Sequence, residues 1–184
     1  MKEKRTLFLI MAGLCLMIPV VSAAQDNAKE EGRVKESGSV MKELVNSSSG
    51  VPISVLNKAE CVIVLPSVKK AGFIVGAQGG QGILFMHGQP RGRYRTVAAS
   101  YGLQAGVQKY GYALFLMNQK AVDWVNNTRG WEIGTGPSVV IVDKGMARSF
   151  STDTLHSGIY AFIFDQQGLM AGLGLQGSKI MRID

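Results

Sequence analysis

Five basic residues stand where they could grip an anion. Arg91, Arg93 and Arg95 alternate with Gly92 and Tyr94 in HGQPRGRYR (residues 87–95), and Lys69-Lys70 form a second basic spot. In an extended chain the three arginines point one way and Tyr94 the other. A guanidinium presents a fork that matches phosphate oxygens. Near an anionic membrane each basic residue contributes about 1 kcal/mol, so three arginines supply about 3 kcal/mol. Such attachment is weak and salt-sensitive, and stable binding needs an apolar contribution beside it. The competing reading is a solvated hairpin tip, since charged loops are ordinary.

Other chemistry is hard to assemble. A phosphate loop of the Walker kind needs Lys-Ser/Thr after its glycines, and Ile83-Leu84 follow Gly82 instead. A dinucleotide fingerprint needs its glycines to open a helix, whereas Ile83-Leu84-Phe85-Met86 has strand character. His87 and His156 have no metal-ligand spacing. Ser149, Ser151 and Asp153 lack a base and a nucleophile elbow, and Asp143 and Asp165 form no recognisable carboxylate pair. The expectation is a protein without catalytic residues, metal or cofactor. A hydrolase would have to rest on His156 and the nearby serines.

The chain that must position the basic residues has 184 residues and a net charge of +7. Its first 23 residues read as an export signal. Lys2, Lys4 and Arg5 form a basic start, and Leu7 to Val21 an apolar run too short for a comfortable membrane span. Val21-Ser22-Ala23, or Ser22-Ala23-Ala24, then offers a small-residue cleavage site. A retained anchor is the alternative. Leu14 before Cys15 argues against lipidation. Removing the signal leaves 161 residues and lowers the charge to +5, enough for one domain with a real core. That mild basicity favours anionic headgroups over nucleic acid. Cys61 remains as the single cysteine, so no internal disulfide can form, and its apolar surroundings make it a small buried hydrophobe.

Residues 24–50 are polar, with Val40/Met41 and Leu44/Val45 spaced for a short helix over about 36–46. Pro52 suits the first turn of a second short helix ending near Lys58, with Ser49 or Gly50 near its cap. Cys61–Leu65 is a buried strand bounded by Pro66, and Ser67–Lys70 a basic turn. Ala71–Met86, AGFIVGAQGGQGILFM, reads as a strand, a tight glycine turn and a second strand. Segments 97–107, 110–117, 138–142, 158–164 and 168–176 are β-like, and 180–183 closes the sheet. Residues 120–129 form the mid-chain helix, with Ala121, Val122, Trp124 and Val125 on one side and Gly130 as its stop.

Glycine organises these strands. Gly72/Gly76, Gly102/Gly106 and Gly168/Gly172 each lie four apart in a β-like stretch, so each pair shares a strand face. The expected fold is α+β: an antiparallel, β-rich, strongly curved or barrel-like sheet with a few short helices, the glycines standing where strands or layers touch.

These segments resemble one family. KKAGFIVGAQGGQG (residues 69–82), YGLQAGVQ (101–108) with ALFLMN (113–118), and GLMAGLGLQG (168–177) resemble, in order, the opening, middle and C-terminal signature of the SYLF domain family. The likeness covers about 52–184 and departs from the family's Trp-Ser-x-Pro stretch at Tyr94-Arg95-Thr96-Val97. It implies one SYLF-like domain over 51–184 that binds anionic lipid without catalysis. It also implies actin binding for some relatives, which an export signal argues against here. The combined expectation is peripheral binding of anionic phospholipid at the bacterial envelope, in the periplasm, through Lys69, Lys70, Arg91, Arg93 and Arg95. No nucleic-acid partner is expected. The alternative is a structural or protein-interaction module of the envelope.

Overall fold

A computed structural model describes residues 26–45, 51–101, 106–128, 130–133, 139–142, 157–168, 175 and 177–183. The proposed signal, the Gly102 and Gly172 members of the glycine pairs, and most of 168–176 lie outside the described residues. Helix α1 spans 26–45 and α2 Ile53–Lys58. Four long strands follow: β1 Cys61–Gly72, β2 Val75–Met86, β3 Gln89–Tyr101 and β4 Gly106–Leu116. Then come α3 Gln119–Asn127, β5 Trp131–Glu132, β6 Val139–Val142, β7 Ile159–Gly168 and β8 Lys179–Arg182.

Among the described residues the strands form one sheet in the order β5-β8-β3-β2-β1-β4-β7-β6. All the pairings are antiparallel except β6 with β7. The α+β, antiparallel β-rich expectation therefore holds. The sheet is open rather than barrelled, with β5 and β6 at its edges.

Each face of the sheet carries its own core. Cys61, Ile63 and Leu65 of β1 point to the face covered by α3, whose Ala121, Val122 and Val125 are buried there. Val62 and Val64 point to the other face, where Val55 of α2 and Leu44 of α1 meet Ile83, Phe85 and Phe115. Burial on both faces explains why Cys61–Leu65 is continuously apolar and not alternating. Helix α3 starts where Asn118 Oδ1 accepts from the Ala121 amide at 3.0 Å, an N-cap bond. Cys61, Tyr110 and Tyr112 are buried beside it.

Four local readings change. First, Pro66 does not end β1. The register slips by one residue between Val64 and Ser67, and this bulge accommodates a proline that cannot donate to the ladder. Residues 67–70 are strand, not turn. Second, the hairpin turn lies at Phe73-Ile74, and Gly79, Gly80 and Gly82 sit within β2. The turn is tight because Gly72 faces Gly76; a Cβ on Gly72 would stand 2.5 Å from the Gly76 Cα. Third, α1 is ten residues longer at its start than the apolar spacing indicates. Its early turns are held by polar contacts: Arg33 donates to Gln81, and Glu30 pairs with Arg93 at 3.2 Å. The α2 cap also falls on Pro52 itself, without a side-chain bond.

Burial of ionisable groups makes the fold alkali-sensitive. Burial first, and the neighbouring Glu60 charge second, push the Cys61 thiol up to about 12. Burial pushes the Tyr110 phenol up to about 12 as well, and raises Tyr112 further. These groups stay neutral in the folded chain while the unfolded chain ionises above its ordinary thiol and phenol values. Their stabilising effect is full below about pH 9 and is lost as pH rises towards 12. The urea midpoint should therefore hold from neutrality to about pH 9 and then fall steeply. A midpoint unchanged at about pH 11 would contradict this burial.

Candidate functional site

The strand register decides which basic residues act together. Lys69 of β1 stands opposite Gly79 of β2 and Lys109 of β4. Gly79 stands opposite Val97 of β3, and Val97 opposite Lys179 of β8. One row therefore crosses five neighbouring strands: Lys179, Val97, Gly79, Lys69, Lys109. The face is that of Ile83, because Gly79, Gln81 and Ile83 alternate along β2. Arg95 lies one step back on the same face, opposite Gln81. Lys69, Arg95, Lys109 and Lys179 are all exposed. Adjacent strands are about 4.8 Å apart, so the row spans roughly 19 Å, the width of several lipid headgroups.

The five residues expected from the sequence divide differently. Lys69 and Arg95 belong to this surface. Lys70 does not: it projects to the opposite face and is buried. Consecutive residues of a strand must point apart, so Lys69-Lys70 cannot act as one basic spot. The arginines are on strand β3, not in a loop; the turn is confined to His87-Gly88. Nor do all three point one way. The register steps from Leu84–Gly92 to Phe85–Pro90, which leaves Arg91 as the extra residue of a bulge. Arg93 shares the face of Arg95 but is partly buried under α1 by its pair with Glu30. Lys109 and Lys179 are basic residues that sequence reading missed. Each is isolated in the sequence, and only cross-strand pairing brings it to the row.

Acidic neighbours temper the edges of the row. Glu132 of β5 stands opposite Lys179. Asp165 and Lys109 both line a groove of about 450 Å³ between α1 and the sheet, together with Lys35, Glu36 and Glu43. Lys69 and Arg95 face no acidic residue across the ladder: Lys69 stands between Gly79 and Lys109, and Arg95 between Gln81 and Met181.

The opposite face is closed around a polar cluster. Gln78 Nε2 and Ser178 Oγ are hydrogen-bonded at 2.6 Å, and the Tyr110 hydroxyl donates to Gln78 Oε1 at 3.0 Å. On the face of Gly72, Gly76 and Gln78 the glutamine is thus buried and the two glycines are half-buried, and Gly72 serves close approach to Gly76. His87 is exposed in its turn. His156, Ser149, Ser151, Asp153 and Asp143 lie outside the described residues. Among the described residues no three His, Cys, Asp or Glu side chains group to hold a metal, and no helix is long and apolar enough to cross a membrane.

Residues 97–184 match the family model Ysc84, described as Las17-binding protein actin regulator. Similar proteins include the SH3 domain-containing YSC84-like protein 1 of Xenopus laevis, 28% identical over 170 residues, and that of Bos taurus, 25% identical over 171. These matches support the SYLF domain family as the one the chain resembles. The matches cover 84% and 89% of this chain and 49% of each relative. The chain therefore spans about half the length of the curated relatives it matches. The matched region contains β4 and β8, which carry Lys109 and Lys179, and begins at Val97, two residues after Arg95.

Proposed function

We propose that this SYLF-like chain binds anionic phospholipid peripherally, at the bacterial envelope after export, through the basic row of its sheet and not through loops. The observation that carries the reading is Lys69 directly across from Lys109 on an exposed face, with Arg95 beside them. Like charges placed opposite one another on a sheet destabilise it. A fold that keeps such a pair gains from an anion that relieves the repulsion. Phosphate oxygens supply that charge, and lysine and arginine bind them as point charge and fork. A bilayer suits charges spread over roughly 19 Å of sheet beside α1 better than a small solute does, since small solutes are held in concave pockets.

The test is co-sedimentation with vesicles. The chain should pellet with phosphatidylcholine vesicles containing about one third phosphatidylglycerol and be released in about 1 M salt, where the Debye length is about 3 Å. Equal binding to neutral vesicles would overturn the charge mechanism. A second measurement probes the repulsion itself. Lys109→Gln should raise stability by about 0.2–1 kcal/mol in urea unfolding while weakening vesicle binding. Loss of stability in this variant would mean that Lys109 has a structural role instead.

The second reading, an envelope module that binds protein, draws on the family description, which names a protein partner for the family model. It predicts retention of a protein partner by Lys109→Gln and no response to vesicles.

A further inference from the structure

The same face continues past the basic row to the end of the sheet, and its chemistry changes there. The next row towards the turn is Ala99, Ala77, Ala71 and Val107, set by Ala71 opposite both Ala77 and Val107, and Ala77 opposite Ala99. All four are exposed. Beyond them the β1–β2 turn presents Phe73, Ile74 and Val75, with relative exposures of 69%, 45% and 67%. Val107 is 68% exposed. The seven residues Ala71–Ala77 carry no charge. Single exposed apolar residues are ordinary, but a contiguous apolar end beside a row of cations is a recognition surface.

We infer that the tip Phe73-Ile74-Val75 is an apolar wedge that enters an anionic bilayer while Lys69 and Lys109 hold the headgroups. The inference rests on the anionic-lipid reading and adds an orientation and a depth to it. Four residue steps along the chain separate Lys69 from Phe73, about 13 Å. Lysine stems bend along an apolar surface towards water or phosphate. The tip therefore reaches about 5–10 Å below the phosphates when the lysines contact them, the depth at which interfacial apolar groups lie. The order along the strand axis, apolar end and then cations, reproduces the order of a leaflet, hydrocarbon and then phosphate. Alanines between the two keep the face flat and leave the lysine stems free. The glycine pair Gly72–Gly76 makes the turn narrow enough to enter between headgroups, because no side chain separates the two strands there. The other end of β2, the His87-Gly88 turn, points away and has no such apolar cap.

The experiment places an environment-sensitive nitrobenzoxadiazole label at Val75→Cys, and in a second protein at Gln89→Cys near the opposite turn. Both use the full chain carrying Cys15→Ser, with buried Cys61 left in place. With phosphatidylcholine vesicles containing about one third phosphatidylglycerol, the label at 75 should brighten several-fold and shift to the blue, and the label at 89 should not. A Phe73→Ser/Val75→Ser variant should keep its fold, judged by an unchanged urea midpoint, and bind the same vesicles roughly tenfold more weakly or worse. Vesicle binding with no change at 75, or with equal change at both sites, overturns the wedge and leaves peripheral lipid binding standing. No vesicle binding at all overturns both. Brightening at 75 that follows protein concentration without vesicles assigns the tip to self-association and overturns the wedge.

Discussion

Replacing Lys69, Arg95 and Lys109 together by glutamine is expected to weaken binding to anionic vesicles by on the order of 100-fold at physiological salt. The figure follows from about 1 kcal/mol for each basic residue near an anionic surface, with about 1.4 kcal/mol per tenfold. The three side chains are exposed and on one face, so their removal leaves both cores untouched. Surface substitutions of this kind usually move stability by less than about 0.5 kcal/mol. The effect should vanish in high salt, where the parent also dissociates. Arg91→Gln is the matched control: it removes one exposed charge but from the bulge, off the row, and should cost much less than one third of the triple effect. Arg93 is a poorer control because it is paired with Glu30. That pair is partly exposed on both sides, so breaking it through Glu30→Gln should change stability little. Isothermal or co-sedimentation titration against vesicles of fixed composition measures all of these. If the triple variant binds as the parent does, the row is not the contact.

The contrast between Lys69 and Lys70 explains how far the sequence could be read. The continuous apolar run Cys61–Leu65, the spacing of Ala121, Val122 and Val125, and the apolar stretch 113–116 each identify their element, because burial is written into local pattern. The basic surface is not local. Lys109 and Lys179 are 40 and 110 residues from Lys69 in the chain and reach it through register alone. Register here depends on bulges at Leu65-Pro66 and Arg91, and each bulge reverses the alternation beyond it. Reading through Pro66 as a stop placed Lys69 and Lys70 in a turn, where both could face one partner. Reading straight through Arg91 placed three arginines on one side. The length of α1 was hidden for another reason. Its first half is fastened by Glu30 and Arg33, polar contacts that leave no apolar period. The glycines were legible as markers of close contact, but which backbone each one meets required the pairing.

Those contacts differ enough to predict opposite outcomes within one strand. Gly82→Ala should destabilise the fold by about 3 kcal/mol or more, as overpacking against an unyielding neighbour does. The new Cβ would fall within contact of the Val64 carbonyl, 2.8 Å from the Val64 carbonyl carbon and 2.9 Å from the Leu65 Cα. All of these are backbone atoms of β1, held by its pairing to β4 on the far side. They approach Gly82 because the Leu65-Pro66 bulge folds β1 over it, so the glycine and the proline are one device. Relief would require the bulge to open and the register of Ile83 and Phe85 against Val62 and Val64 to shift, which unpacks the α1–α2 core. With total stability of about 5–15 kcal/mol for an ordinary domain, such a loss is a large share of it. Gly79→Ala, three residues earlier in the same strand, should be neutral or slightly stabilising. Its Cβ would meet only the Thr96 carbonyl oxygen at 3.7 Å, an ordinary contact, and alanine loses less backbone freedom on folding than glycine. Gly79 lies in the basic row between Val97 and Lys69, so Gly79→Ala should also retain vesicle binding. Urea unfolding of the two variants decides the matter. Equal stability in both would mean that β1 yields at the bulge, and that the register which aligns Lys69 with Lys109 is not fixed there.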